Sequence, residues 1–70
     1  MSYRTNPSAL RLLIGRNMRI RRAELDLSQE ALAHEIGTSA SNLSGIERGK
    51  RNTTVDQLQK IAMALKIDPV

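Results

Sequence analysis

Gln29-Glu30-Ala31-Leu32-Ala33-His34-Glu35-Ile36-Gly37-Thr38-Ser39-Ala40-Ser41-Asn42-Leu43-Ser44-Gly45-Ile46 is the stretch on which the reading of the fold turns. Leu32, Ala33 and Ile36 recur at helical spacing, Gly37 interrupts them, and Leu43 and Ile46 resume the period after Thr38 and Ser39. The pattern predicts two short helices joined by a tight turn. Ser28 stands where its side chain caps the first helix by accepting from a backbone N–H that has no partner inside the helix. Gly37 supplies the left-handed conformation that stops that helix, and Ser39 caps the second.

On either side of this unit the chain reads as more helix. Pro7 and Ser8 start a helix that runs to about Leu25, with Leu10, Leu13, Ile14, Met18 and Leu25 as its apolar stripe, widened by Ile20 and Ala23. Residues 1–7 are polar and unpatterned at the start and read as a flexible arm ahead of a single domain over 8–70. The third helix runs from about Ala40 to Arg48 and ends at Gly49. Thr54 and Gln57 form a capping box for a fourth helix with Val55, Leu58, Ile61, Ala62 and Leu65 as its core stripe.

Seventy residues without a cysteine allow one small core and no disulfide or thiolate metal site. Leu, Ala, Arg and Glu are common and aromatics make up 1% of the chain, a composition that favours an all-α bundle with short loops. No apolar run approaches the roughly 20 residues of a membrane span, and the Leu12-Leu13-Ile14 run is too short and too closely followed by arginines for a signal peptide. A cytoplasmic, non-membrane protein is expected. The charge is +4, and Arg4, Arg11, Arg16, Arg19, Arg21 and Arg22 fall in the first 22 residues without one acid. A polyanion suits that imbalance, although a modest positive charge is also common in small helical proteins.

The central stretch resembles the helix-turn-helix of the phage repressor and Cro group, the xenobiotic-response-element type regulators. Gln29 opens the first helix, Ala33 is the small residue at the helix crossing, Gly37 is the turn glycine, and Leu43 and Ile46 face the core. The likeness runs on through Gly45-Ile46-Glu47-Arg48-Gly49-Lys50-Arg51-Asn52 to Ile61-Ala62-Met63-Ala64-Leu65, covering about residues 15–67. Two positions depart from it: Arg21 stands where many relatives carry leucine, and Asp26 where the family usually has glycine. The resemblance implies a compact four- to five-helix repressor-like DNA-binding domain, because relatives often add a fifth helix that helps them dimerise. The Ser44–Arg48 run with Arg51 and Asn52 is also similar to restriction-modification controller proteins; phage repressors and antitoxins share much of it.

No active site is evident. His34 is the lone histidine and falls on the polar side of its helix, no cluster has metal-ligand spacing, and phosphate-loop and dinucleotide glycine patterns are absent, so neither enzyme nor cofactor is expected. Single-stranded RNA binding suits poorly, since such modules stack bases on aromatics and Tyr3 stands alone. Duplex DNA read in the major groove by the third helix remains. With Leu43 and Ile46 assigned to the core, Ala40, Ser41, Asn42, Ser44 and Gly45 are left as the base-reading face. Asn42 is the side chain able to pair two-pronged with adenine, and Gly45 is expected to let the backbone approach the groove. These small polar groups also suit a merely solvated helix, so the motif around them decides the reading.

Phosphate contacts are assigned to Ser28 and Gln29 at a helix N-terminus and, by resemblance, to Lys50 and Asn52. Arg51 is the best candidate for an additional base contact. Arg48 serves equally as a phosphate ligand or as a solvated charge complementing the helix dipole. The resemblance further implies a structural salt bridge between Arg22 and Glu47, while Arg16 and Arg19 are assigned to a solvated face. The implied function is a sequence-specific, nucleoid-associated regulator that acts as a homodimer on a two-fold operator, with RNA polymerase or a toxin as further partners. The competing reading is an antitoxin-like protein-interaction module that keeps the fold.

Overall fold

The computed structural model describes residues 7–67 and contains four helices and no strand among them: α1 (Pro7–Glu24), α2 (Gln29–Ile36), α3 (Ala40–Glu47) and α4 (Val55–Ala64). The expected arm lies outside the described residues except for Pro7, which is already the first residue of α1. The three later helices begin on side-chain caps: Ser28 accepts from the Ala31 N–H, Ser39 from the Asn42 N–H and Thr54 from the Gln57 N–H, each at 3.0 Å. The expected capping box is only half closed. The Gln57 side chain accepts from the Thr53 hydroxyl at 3.1 Å, so it is turned toward the preceding loop.

All four helices end in the same way. An N–H just past the helix bonds back to the carbonyl five residues earlier, from Leu27 to Arg22, Thr38 to Ala33, Lys50 to Gly45 and Ile67 to Ala62, at 2.9 Å in each case. Each of these ends needs one left-handed residue, and Gly37 (φ 76°) supplies it in the central turn. Asp26 (φ 54°) and Lys66 (φ 57°) do the same job with a side chain attached, which is sterically costlier.

Met18, Leu32, Ala33, Ile36, Leu43, Ile46, Ile61 and Leu65 form the buried core, with Ile14, Leu25, Leu27, Ala40 and Ala64 packed against it. Helix α3 packs on α1 and α2, and α4 chiefly on α2. The long stripe expected on α1 is thus reduced to Met18, fully buried, and Ile14 and Leu25 beside it. Leu10, Leu13 and Ile20 are more than two-fifths exposed and Ala23 is exposed. In a chain this small the core ends before the helix does. On α4, Val55 is 82% exposed against the expectation, Leu58 and Ala62 are half-buried, and Ile61 and Leu65 carry the packing.

Arg21 explains its departure from leucine. Its Nε donates to the Leu65 carbonyl at 2.8 Å, and its guanidinium also meets Glu24 at 3.2 Å. The arginine therefore satisfies a carbonyl at the C-terminus of α4, where a positive charge also complements the helix dipole.

Candidate nucleic-acid interface

The inner side of α3 is fixed by polar groups of unusual depth. Glu47 is 1% exposed, and its carboxylate receives Arg22 Nε at 2.7 Å and Arg22 Nη2 at 2.9 Å, a two-pronged pair. Arg22 also donates to the Leu27 carbonyl at 3.0 Å. The hydrogen bond to Glu47 holds the Arg22 guanidinium above its ordinary pKa, with burial opposing. The pair bridges the end of α1 to the end of α3, and no buried side-chain nitrogen or oxygen among the described residues is left without a partner.

Two further residues of α1 serve the same seam. A side chain at Gly15 would collide with the Glu47 and Ile46 carbonyls, so glycine is what lets α1 lie directly on the end of α3. Arg19 is exposed, as expected of it and of Arg16, and its guanidinium in addition donates to the Glu47 carbonyl. Arg11 reaches the loop after α3, donating to Asn52 Oδ1 at 3.0 Å and to Ser8 Oγ at 3.2 Å. Arg11, Gly15, Arg19 and Arg22 follow one another at spacings of four, four and three, one face of a helix. That spacing was the available signal for Arg11 and Arg19.

The outer side of α3 is built of short side chains. Ser41 is exposed and Ser44 half-buried. Ala40, expected on the base-reading face, is half-buried and packs against the core, which leaves little of its methyl group facing outward. Asn42 is half-buried, and its Nδ2 donates to Thr38 Oγ1 at 2.9 Å, which leaves the amide oxygen and the second N–H for an outside partner. Thr38 was not singled out, although it lies one helical turn before Asn42. Gly45 departs most from expectation: it is buried, because the Arg51 stem lies across it.

The phosphate candidates divide in the same manner. Ser28 Oγ is occupied as acceptor in its cap and stays exposed. Gln29 is turned inward, its Nε2 donating to Glu47 Oε1 at 3.1 Å, so the expected amide contact to a phosphate competes with the buried bridge. Arg48 caps α3 and, like Lys50, is exposed without an ion pair among the described residues. Asn52 keeps its amide N–H groups free of Arg11, which takes only the oxygen. His34 is exposed on α2, and no group of three metal-ligating side chains occurs among the described residues. No described helix is long and apolar enough to cross a membrane.

A small-residue helix held from behind by α1 and followed by Arg48, Lys50 and Arg51 is the second helix of a helix-turn-helix. The helix-turn-helix family model matches residues 18–70, and the chain belongs to that family, as a DNA-binding transcriptional regulator. It is 43% identical to control protein C.BamHI of Bacillus amyloliquefaciens over 61 residues, which span 86% of this chain and 75% of the relative. It is 41% identical to the helix-turn-helix-type transcriptional regulator y4dJ of Sinorhizobium fredii, over 87% of this chain and 79% of that one. The crystal structure of the restriction-modification controller protein C.AhdI from Aeromonas hydrophila superposes with a TM-score of 0.85 at 38% identity, covering 91% of this chain and 93% of that one.

Proposed function

We propose that this regulator reads a two-fold operator in the major groove with α3, as a homodimer, in the manner of a restriction-modification controller. The observation that carries the reading is the outer face of α3. Ser41, Ser44 and the free edge of Asn42 lie on it, and Lys50, Arg51 and Arg48 follow directly. Small side chains let the helix sit deep in the groove, and the cations meet the backbone phosphates. With so few base-pairing side chains on α3, part of the specificity comes from Arg51 and from DNA shape.

The dimer rests on α4. Val55, Leu58, Ala62, Met63 and Ile67 line one groove on its outer side, with Val55 82% and Met63 72% exposed. Apolar surface of this kind favours burial. Asp56 and Lys60, both exposed on α4, supply opposite charges that a second copy of this chain pairs in a two-fold contact. Since α4 packs chiefly on α2, pairing there leaves α3 uncovered. Half-sites about one helical turn apart, roughly 34–36 Å, follow from that symmetry.

The test is selection of duplexes from a random-sequence pool by the purified chain, then titration of the recovered duplex at several salt concentrations. A palindromic site and a steep negative salt slope are expected, with Gln29→Ala plus Arg51→Ala weakening binding and flattening the slope. Binding unchanged by that double variant contradicts the reading and returns the protein to a protein-interaction module. Met63→Glu is expected to give a monomer in sedimentation and to reduce occupancy of the full site.

A further inference from the structure

Gly45 occupies the middle of α3 with an ordinary helical backbone, unlike Gly37 and Gly49, whose φ angles are positive. Nothing in its conformation calls for glycine, and glycine is among the least helix-favouring residues. What the missing side chain supplies is space, and the space is filled. A Cβ at position 45 would stand 2.6 Å from Arg51 Cδ, 2.8 Å from Cγ and 2.8 Å from Nε. The contrast with Gly15 is informative, because there the colliding atoms are backbone carbonyls, whereas at Gly45 every one belongs to a single flexible side chain.

We infer that Gly45 is the seat of Arg51, a specificity-determining position that acts by leaving room for the arginine of the following loop to lie along the outer face of α3. The Lys50 N–H, bonded to the Gly45 carbonyl at 2.9 Å, fixes the loop at the point where Arg51 leaves it. The side chain that a longer residue at position 45 would send toward the groove is thus supplied from the loop, with a planar fork of donors at its end. The acceptor pair that such a fork matches is the O6 and N7 edge of a guanine. An arginine already laid on the helix loses less freedom when it binds than one free in solvent. The inference rests on the DNA-reading function proposed above and adds to it a positioning role for Gly45.

The experiment is a double-mutant cycle of Gly45→Ala and Arg51→Ala, measured on the duplex recovered by selection and on copies with single guanines replaced by 7-deazaguanine, which lacks N7. Gly45→Ala is expected to fold with an unchanged or raised Tm and to weaken binding about as much as Arg51→Ala, tenfold or more. The double variant is expected to lose nothing further, and the penalty for one particular deazaguanine disappears in all three variants. Additive losses, or Gly45→Ala binding as the parent does, overturn the seat while leaving DNA reading intact. An Arg51→Ala variant with parental affinity removes both the seat's role and Arg51 as a reader. Independently of any variant or DNA, a nuclear Overhauser contact between Gly45 Hα and Arg51 Hδ is expected in the parent, and its absence overturns the seat.

Discussion

The two sides of α3 are built on opposite principles. The inner side is a closed polar lock in which Glu47 meets Arg22 and Gln29, and Arg19 takes the Glu47 carbonyl over Gly15. The outer side carries Ser41, Ser44 and a glycine under a long arginine. An eight-residue helix with two fully buried aliphatic side chains has little intrinsic stability, so its position must come from neighbours. Placing that fixation on one side frees the other to be chosen for DNA. A carboxylate next to the proposed phosphate-binding surface is tolerable for the same reason, since Arg22 neutralises it within the fold.

The contrast breaks most directly at Glu47. Glu47→Ala strands Arg22 at a part-buried position and is expected to cost about 3–5 kcal/mol, a large share of the stability of a domain this size, read as a lower urea midpoint. Because the Arg22 pKa is raised in the folded state, its share of the stability is complete at all lower pH and is lost only in the strongly alkaline range. A flat arginine contribution between pH 6 and 9 is therefore expected in a thermal-melt series. Gly15→Ala attacks the same seam sterically. It pushes α1 off the end of α3, at about 1–3 kcal/mol, and the melt should move without any change of charge.

Smaller effects sharpen the comparison. Asp26→Gly relieves a left-handed non-glycine residue far from α3's outer face and is expected to stabilise by about 0.5–1 kcal/mol with DNA affinity unchanged. Ser44→Ala on the outer face is expected to move stability by no more than about 0.5 kcal/mol while changing the base preference of the selected site. A large loss of stability from Ser44→Ala would erase the distinction between the two sides.

The helices were legible because their ends are written locally: Ser28, Ser39 and Thr54 each sit three residues before the N–H they cap, and Gly37 and Gly49 mark the stops. The Arg22–Glu47 pair was accessible through resemblance, as two positions 25 residues apart share no local pattern. What escaped was the destination of long flexible side chains. Arg19 on a carbonyl, Arg21 on the end of α4, Gln29 on Glu47 and Arg51 over Gly45 depend on where distant helices come to rest, which no periodicity encodes. Apolar periodicity likewise assigned Leu10, Leu13 and Val55 to a face without showing that the rest of one chain is too small to cover it.

The most direct test of a helix held from within and reading outward is methylation interference on the selected duplex. Dimethyl sulfate places methyl groups on guanine N7 in the major groove and adenine N3 in the minor groove. Two patches of guanine N7 interference, centred about 10 base pairs apart and weakened at one guanine by Arg51→Ala, are the expected result. Interference confined to adenine N3, or none at all on a duplex that still binds, would show that α3 does not read the major groove.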